Sequence, residues 1–106
     1  MKTSTDPRTS ASPSAADRTP LFPLGRLLIT PNARDTLAPH EVLNALARHA
    51  RGDWGDCSAH DNEANDRALV EGDRLFSVYH DAQGRRFWII SEAGRVATTV
   101  LLPEDY

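Results

Sequence analysis

The sequence predicts an α+β fold in which two or three helices pack on one face of a small antiparallel sheet that ends in a three-stranded meander. Two observations support this prediction. Apolar residues recur at helical spacing in the middle of the chain, whereas the last third is rich in β-branched and aromatic residues separated by short turns. A length of 106 residues has room for one such domain.

The first 20 residues are expected to form a disordered tail. They contain no Leu, Ile, Val or Phe, and so they offer too little apolar area to offset the entropy cost of ordering. The domain is therefore expected to span residues 21–106. Its first apolar run, Leu27 to Ile29, predicts a short strand.

The first two helices are predicted from capping residues and periodicity. Thr30 followed by Pro31 is typical of an N-cap and the first helical position, so residues 30–38 are expected to wind one or two turns. Residues 39–50 then place their apolar positions on one helical stripe. Arg48 and His49 are interpreted as cations near the C-terminus of this helix, and Gly52 as the residue that ends it.

A further helix is expected to end near Glu71, before Gly72. Ser58 or Asp61 could cap its N-terminus, and acidic residues are common in its first turns. Its apolar stripe is thin, which predicts a position at the edge of the core.

The meander is predicted from three segments, residues 74–80, 85–91 and 95–102, separated by short turns. Residues 81–84 fit a four-residue turn with Gly84 at positive φ, and residues 93–94 fit a two-residue hairpin loop. These turns imply a register in which His80 faces Arg85 and Glu92 faces Arg95.

This register sorts the strand residues onto two faces. The face expected to meet the helices carries Phe76, Val78, Phe87, Ile89, Val96, Thr98 and Val100. The other face carries Leu75, Ser77, Tyr79, Arg86, Trp88, Ile90, Ala97, Thr99 and Leu101. We expect the second face, with Tyr79, Arg86 and Trp88, to form an interface. The alternatives are that residues 21–29 or the helix ending near Glu71 cover it, or that the register is off by one.

Composition limits the classes of function. The formal net charge is −3, and residues 21–106 contain 9 Lys or Arg against 13 Asp or Glu, which disfavours nucleic acid and favours a basic partner surface. No apolar run is long enough for a membrane span, and no secretion signal is recognisable. The expected compartment is the cytoplasm, and the single cysteine, Cys57, agrees with a reducing environment.

Residues 51–66, RGDWGDCSAHDNEAND, are the one stretch with the residue types of a chemical site. Cys57 and His60 have C-x-x-H spacing, but a structural zinc site needs a second ligand pair and the sequence has none. An enzyme would need Cys57 or Ser58 activated by a base such as His49 or His60. We therefore expect a polar connection, with no catalytic, cofactor or metal residue, and we expect Trp54 to be a buried anchor.

Seven carboxylates lie between residues 53 and 73. They are Asp53, Asp56, Asp61, Glu63, Asp66, Glu71 and Asp73. Such a run is usually a solvated helix face, and the sharper hypothesis is an array that imitates phosphates in the basic groove of a nucleic-acid-binding protein. The predicted partner-binding residues are therefore Asp53, Asp56, Asp61, Glu63 and Asp66, together with Tyr79, Arg86 and Trp88.

Three segments carry a resemblance to a known family: GDWGD, then Asn65 with ALVEG, then residues 74–106, RLFSVYHDAQGRRFWIISEAGRVATTVLLPEDY. These segments resemble those of small proteins encoded by plasmids, integrated elements and phages. Such proteins are described as plasmid-related proteins and sometimes as type I restriction enzyme subunits. The resemblance covers residues 22–106. It implies a mobile-element setting, and it carries no catalytic residues.

The leading expectation is a non-enzymatic binding protein of a mobile element that acts on a protein partner, such as a host restriction or CRISPR complex. The first alternative is a small nucleic-acid regulator that stacks bases on the sheet face. The second is an enzyme or metal-binding protein centred on Cys57 and His60. A homodimer through the same sheet face is a further expectation.

Overall fold

The structure is a computed structural model that describes residues 19–106. It confirms the predicted α+β class, with helices packed on one side of a four-stranded sheet. Nearly all of the predicted disordered tail, residues 1–18 of 1–20, lies outside the described residues.

Three helices form where capping residues and apolar periodicity predict them. They are α1 (Pro31–Thr36), α2 (Pro39–Ala50) and α3 (Ala59–Glu71). The Thr30 hydroxyl accepts from the Ala33 N–H at the start of α1, and the Ser58 hydroxyl accepts from the Asp61 N–H at the start of α3. No helix within residues 19–106 is long and apolar enough to cross a membrane.

The sheet contains β1 (Arg26–Ile29), β2 (Leu75–His80), β3 (Arg86–Ser91) and β4 (Ala97–Leu101), in the order β1-β4-β3-β2. The last three strands form the predicted antiparallel meander. The first strand runs parallel to β4, because the chain crosses the sheet through the helices before β2 begins. This parallel pair is the difference from the predicted antiparallel sheet.

The predicted register between β2 and β3 is wrong by one residue. His80 pairs with Arg86, not with Arg85. The turn takes in one more residue because the Asp81 N–H donates to the Arg85 carbonyl at 2.9 Å. Gly84 does adopt the predicted positive φ, at 79°. Since side chains alternate along a strand, the shift moves every β2 side chain to the opposite face from the predicted one.

The predicted register between β3 and β4 is wrong by two residues, which leaves the faces unchanged. Ser91 pairs with Thr98, and a turn over residues 93–95, in which Gly94 and Arg95 adopt positive φ of 76° and 59°, replaces the two-residue loop. This loop is held against the end of α3. The Gly94 N–H donates to the Gly72 carbonyl, and the Arg95 guanidinium donates to the Ala68 carbonyl at 2.8 Å.

The corrected register gives a helix-covered face and a second face, called helix-free here because none of the three α-helices within residues 19–106 packs on it. The helix-covered face carries Leu75, Ser77, Tyr79, Phe87, Ile89, Ser91, Thr98 and Val100, all of them buried. The helix-free face carries Phe76, Val78, Trp88, Ile90, Thr99 and Leu101. The core therefore lies between the helices and the first face.

A chain of buried polar side chains runs through the middle of this core. His49 in α2 is fully buried, and its two ring nitrogens lie 2.6 Å from the Ser77 hydroxyl and 2.9 Å from the Ser91 hydroxyl. The Ser91 hydroxyl lies 2.6 Å from that of Thr98, and Thr98 donates to the carbonyl of Leu24. We call these groups the buried polar chain. It ties α2 to three strands and to the segment before β1.

The hydrogen-bond directions along this chain fix the tautomer of His49. The Thr98 hydroxyl donates its only proton to the Leu24 carbonyl, so the Ser91 hydroxyl must donate to the Thr98 oxygen. The His49 Nε2–H then donates to Ser91, and Nδ1 accepts from Ser77. Burial, followed by the charge of Arg95, lowers the pKa of His49 to about 4, so His49 is neutral near pH 7 and the predicted role as a cation at the helix terminus is wrong.

Stability should fall on mild acidification because of His49. Burial lowers the pKa of His49 from its ordinary value of 6.5 to about 4. Between pH 6.5 and pH 4, His49 binds a proton in the unfolded chain but not in the folded chain. The free energy of unfolding should therefore rise by about 3 kcal/mol between pH 4 and pH 7. Urea titrations at several pH values measure this slope.

His49→Gln should remove this dependence, whereas His40→Gln, at an exposed position of the same helix, should retain it. The carboxylates with lowered pKa values, Asp53, Asp81 and Asp105, lose their stabilising contribution as pH falls below about 5, mostly below pH 4, so the slope between pH 5 and pH 7 reports on His49. If the His49→Gln variant showed the same pH dependence of the free energy of unfolding as the wild type, the assignment of this dependence to His49 would be wrong.

Candidate functional site

Residues 51–58 form the connection between α2 and α3, residues 59–66 belong to α3, and the connection is anchored by Trp54. Its indole is buried, lies 5.6 Å from the His49 ring and 6.5 Å from the Phe22 ring, and donates to the Asp66 carboxylate at 3.1 Å. The predicted buried anchor is confirmed. Gly52 and Gly55 adopt positive φ on either side of it, as the sequence pattern indicates.

The same connection closes the outer edge of β2. Gly55 forms a bridge to Val78, whose N–H donates to the Trp54 carbonyl and whose carbonyl accepts from the Asp56 N–H. Phe76 lies two residues before Val78 on the same strand. Its N–H donates to the side-chain amide oxygen of Asn65 in α3, and its carbonyl accepts from the amide nitrogen of Asn65. These contacts satisfy the backbone groups that an edge strand otherwise exposes.

Two of the predicted partner-binding carboxylates are engaged within the protein. Asp53 accepts from the Arg48 guanidinium at 2.7 Å, and this bond lowers the pKa of Asp53 and raises the pKa of Arg48. Asp56 lies 2.5 Å from Nδ1 of His80. Both pairs are exposed, so each contributes little to stability.

The other predicted acidic residues lie on α3. Asp61 and Glu63 make no ion pair or side-chain hydrogen bond with any described residue. Asp66 is exposed but holds the indole of Trp54. The acidic array therefore divides into two carboxylates without such a partner, Asp61 half-buried and Glu63 exposed, and three that orient parts of the fold.

The structure does not bring Cys57 and His60 together in a chemical site. The Cys57 thiol donates to the Phe76 carbonyl at 3.4 Å, and burial raises its pKa, the opposite of what activates a nucleophile. Both ring nitrogens of His49 are occupied by serine hydroxyls. Within residues 19–106, no three His, Cys, Asp or Glu side chains cluster closely enough to hold a metal ion.

The predicted surface of Tyr79, Arg86 and Trp88 is wrong in one member. Tyr79 is 2% exposed and lies on the helix-covered face, where its hydroxyl donates to the Asp53 carbonyl at 2.6 Å. The one-residue register shift places it there, and burial raises its pKa. Trp88 and Arg86 do share the helix-free face, with Arg86 exposed and Trp88 half-buried.

An apolar groove of about 270 Å³ lies on the helix-free face. We call it the sheet-face groove, and its lining residues are Arg74, Phe76, Trp88, Ile90 and Tyr106. The Trp88 ring makes edge contacts with Phe76 at 5.1 Å and with Tyr106 at 5.7 Å. Arg74 donates to the Tyr106 hydroxyl at 3.1 Å.

One guanidinium, that of Arg74, lines the groove, whereas Arg86 lines a neighbouring depression with Leu102, Pro103 and Glu104. Arg74 precedes β2, and Arg86 lies two residues before Trp88 on the same face. Sequence reasoning missed Arg74 and Tyr106, and it placed Phe76 on the covered face because the register was wrong. With the observed register, Phe76, Ile90 and Trp88 fall on one face from the sequence alone.

A second, more polar cleft of about 310 Å³ lies on the helix-covered side. Its lining residues are His40, Glu41, Asn44, Ala45, Arg48, Tyr79, His80 and Phe87. Its charged groups are engaged within the chain: Glu41 accepts the Ala82 N–H at 2.7 Å, and Arg48 and His80 pair with Asp53 and Asp56. The sheet-face groove is therefore the better candidate site.

Comparison with protein-family models, curated proteins and solved structures finds no match for this chain. The resemblance to plasmid-related proteins stays an expectation that depends on its quoted segments. The candidate site is accordingly defined by geometry alone.

The connection around Trp54 should depend on the absence of a side chain at position 55. Gly55 has φ of +73°, and a Cβ there would overlap the Val78 carbonyl oxygen and contact the Tyr79 ring. Gly55→Ala should lower the free energy of unfolding by roughly 2 to 5 kcal/mol. Gly72→Ala is the matched control, because Gly72 has φ of +82° but open space around it. Equal losses in urea denaturation would show that no clash occurs at position 55.

Proposed function

We propose that the protein is a non-enzymatic binding protein that recognises a protein partner through the sheet-face groove. The observation that supports this most is the cluster of Trp88, Phe76 and Tyr106 on the sheet face that α1, α2 and α3 leave uncovered. Trp, Tyr and Arg are the residues most enriched where protein interfaces gain their binding energy.

The charges around the groove indicate the chemistry of the partner. The groove is apolar along its floor, Arg74 places positive charge in its lining, and Arg86 lies on the same sheet face beyond Trp88. A partner segment with apolar side chains flanked by carboxylates would match both features.

The resemblance to plasmid-related proteins supplies the biological setting of the proposal. In that setting the protein belongs to a mobile element in the host cytoplasm, and a host restriction or CRISPR complex is the first partner class to test. The acidic residues Asp61 and Glu63 on α3 form the rival contact for the same setting, because a protein that binds nucleic acid carries a basic groove.

Replacing Trp88 should remove partner binding. Trp88→Ala should weaken the affinity for a host protein captured by the tagged chain by about 30-fold or more, the loss expected for a central anchor residue. Val70→Ala is the matched control, because Val70 is 86% exposed on α3, away from the groove. Titration calorimetry with the captured partner measures the change, and circular dichroism checks folding.

The charge reversals Asp61→Lys and Glu63→Lys distinguish the two contacts. Neither carboxylate supports the fold through an ion pair among the described residues, so the double variant should fold and keep its affinity. Asp66 is left unchanged because it holds Trp54. Loss of binding in this variant, with binding kept in Trp88→Ala, would reject the groove in favour of the acidic surface.

Single-stranded nucleic acid is the second candidate ligand, because aromatic rings beside guanidinium groups are how such ligands are stacked and neutralised. With two or three phosphate contacts, affinity should fall roughly tenfold between 50 and 200 mM salt. Trp54 is buried, so quenching of tryptophan emission by an oligothymidylate would report on Trp88. No quenching at low salt would exclude this candidate.

A further inference from the structure

The two edges of the sheet differ in whether their backbone hydrogen-bonding groups have partners. The outer edge of β2 is closed at Phe76 by the Asn65 amide and at Val78 by the bridge to Gly55. At the opposite edge, β1 pairs with β4 on one side, and no described strand pairs with its other side. An apolar edge strand without a covering element is a template for pairing with another chain.

The free side of β1 can be assigned from its hydrogen bonds. The N–H groups of Arg26 and Thr30 donate to the Val96 and Val100 carbonyls of the β4 segment, each at 3.1 Å. Because backbone groups alternate sides along a strand, the N–H and C=O groups of Leu27 and Ile29 point to the free edge. The edge therefore offers four backbone groups in a row.

The side chains at this edge are apolar and exposed. Leu27 is 54% exposed, and Leu28 and Ile29 are each 40% exposed. They border a groove of about 150 Å³ whose other lining residues are Val42, Leu46 and Val100. Leu43, next to Val42 in α2, is exposed as well. The charge of Arg26 begins the strand, but no charge, proline or bulge lies within Leu27–Ile29, where the outward backbone groups are.

We propose that β1 pairs antiparallel with β1 of a second copy, which joins two sheets into one of eight strands. The argument for a second copy is self-complementarity. Only a register centred on Leu28 lets Leu27 and Ile29 of each copy exchange all their outward hydrogen bonds. The two-fold axis is then perpendicular to the sheet, and the exposed Leu27 and Ile29 side chains of both copies meet on the helix side.

Charge complementarity supports the same register. A pairing centred on Leu28 places Arg26 of one copy opposite Thr30 of the other. The Thr30 hydroxyl donates to the Asp105 carboxylate at 2.6 Å, so a negative charge lies beside that position. Each end of the paired strands therefore brings a guanidinium to a carboxylate. A four-residue edge with a small apolar flank is a small interface, so we expect a dimer of micromolar affinity.

Sedimentation velocity across a concentration series tests the association on the full chain. The wild type should shift from monomer to dimer over micromolar concentrations, and Ile29→Lys should raise the dissociation constant about tenfold or more by placing a charge in the paired edge. Val70→Lys, a matched apolar-to-Lys change at an exposed site, should leave it unchanged. A wild type that stays monomeric, or a dimer that Ile29→Lys leaves intact, would overturn the proposal.

Cysteine crosslinking tests the register. In a Cys57→Ser background, Leu28→Cys should oxidise to a covalent dimer, because position 28 faces itself across the two-fold at about 4.5 Å between Cα atoms. Leu27→Cys should not, since its equivalent lies diagonally at roughly 7–8 Å. Equal crosslinking by the two variants would overturn the register and the pairing derived from it. Dimers that Trp88→Ala disrupts would instead assign the contact to the sheet-face groove.

Discussion

The hydrogen-bonded chain centred on His49 is the constraint on which the packing of this domain depends. It passes from Ser77 through His49 and Ser91 to Thr98, and it ends on the Leu24 carbonyl. Every hydroxyl on the path from His49 to Leu24 accepts one proton and donates one, so the chain has a single direction. A buried polar group without a partner is costly, whereas a fully satisfied chain fixes one arrangement of the elements that contribute to it.

That arrangement determines which face of the sheet remains open. The polar chain draws α2 and the segment before β1 onto the face that carries Ser77, Ser91 and Thr98, and the Trp54 anchor packs against His49 from the side. The three helices are then all used on one side. On the opposite face, the Tyr106 ring packs against the edge of Trp88, and the groove beside these rings stays accessible.

Local signals in the sequence were sufficient for the helices, the meander and the Trp54 anchor, because caps, periodicity and flanking glycines act over a few residues. The register of β2 was not predictable in this way, since it depends on whether Arg85 belongs to a turn that the buried Asp81 side chain organises. That one residue decided the placement of Tyr79. The polar chain has a signal that was missed: two serines and a threonine fall on one strand face only in the correct register.

The sheet-face groove and the free edge of β1 lie on separate parts of the sheet. The sheet-face groove lies on β2 and β3, whereas the free edge lies on β1, two strands away from β3. Pairing at the edge would therefore leave the groove accessible. Because the two-fold axis of an edge pair is perpendicular to the sheet, both grooves would open on the same side of the eight-stranded sheet. A partner with two equivalent segments could then occupy both, and avidity would offset the modest affinity of each small groove.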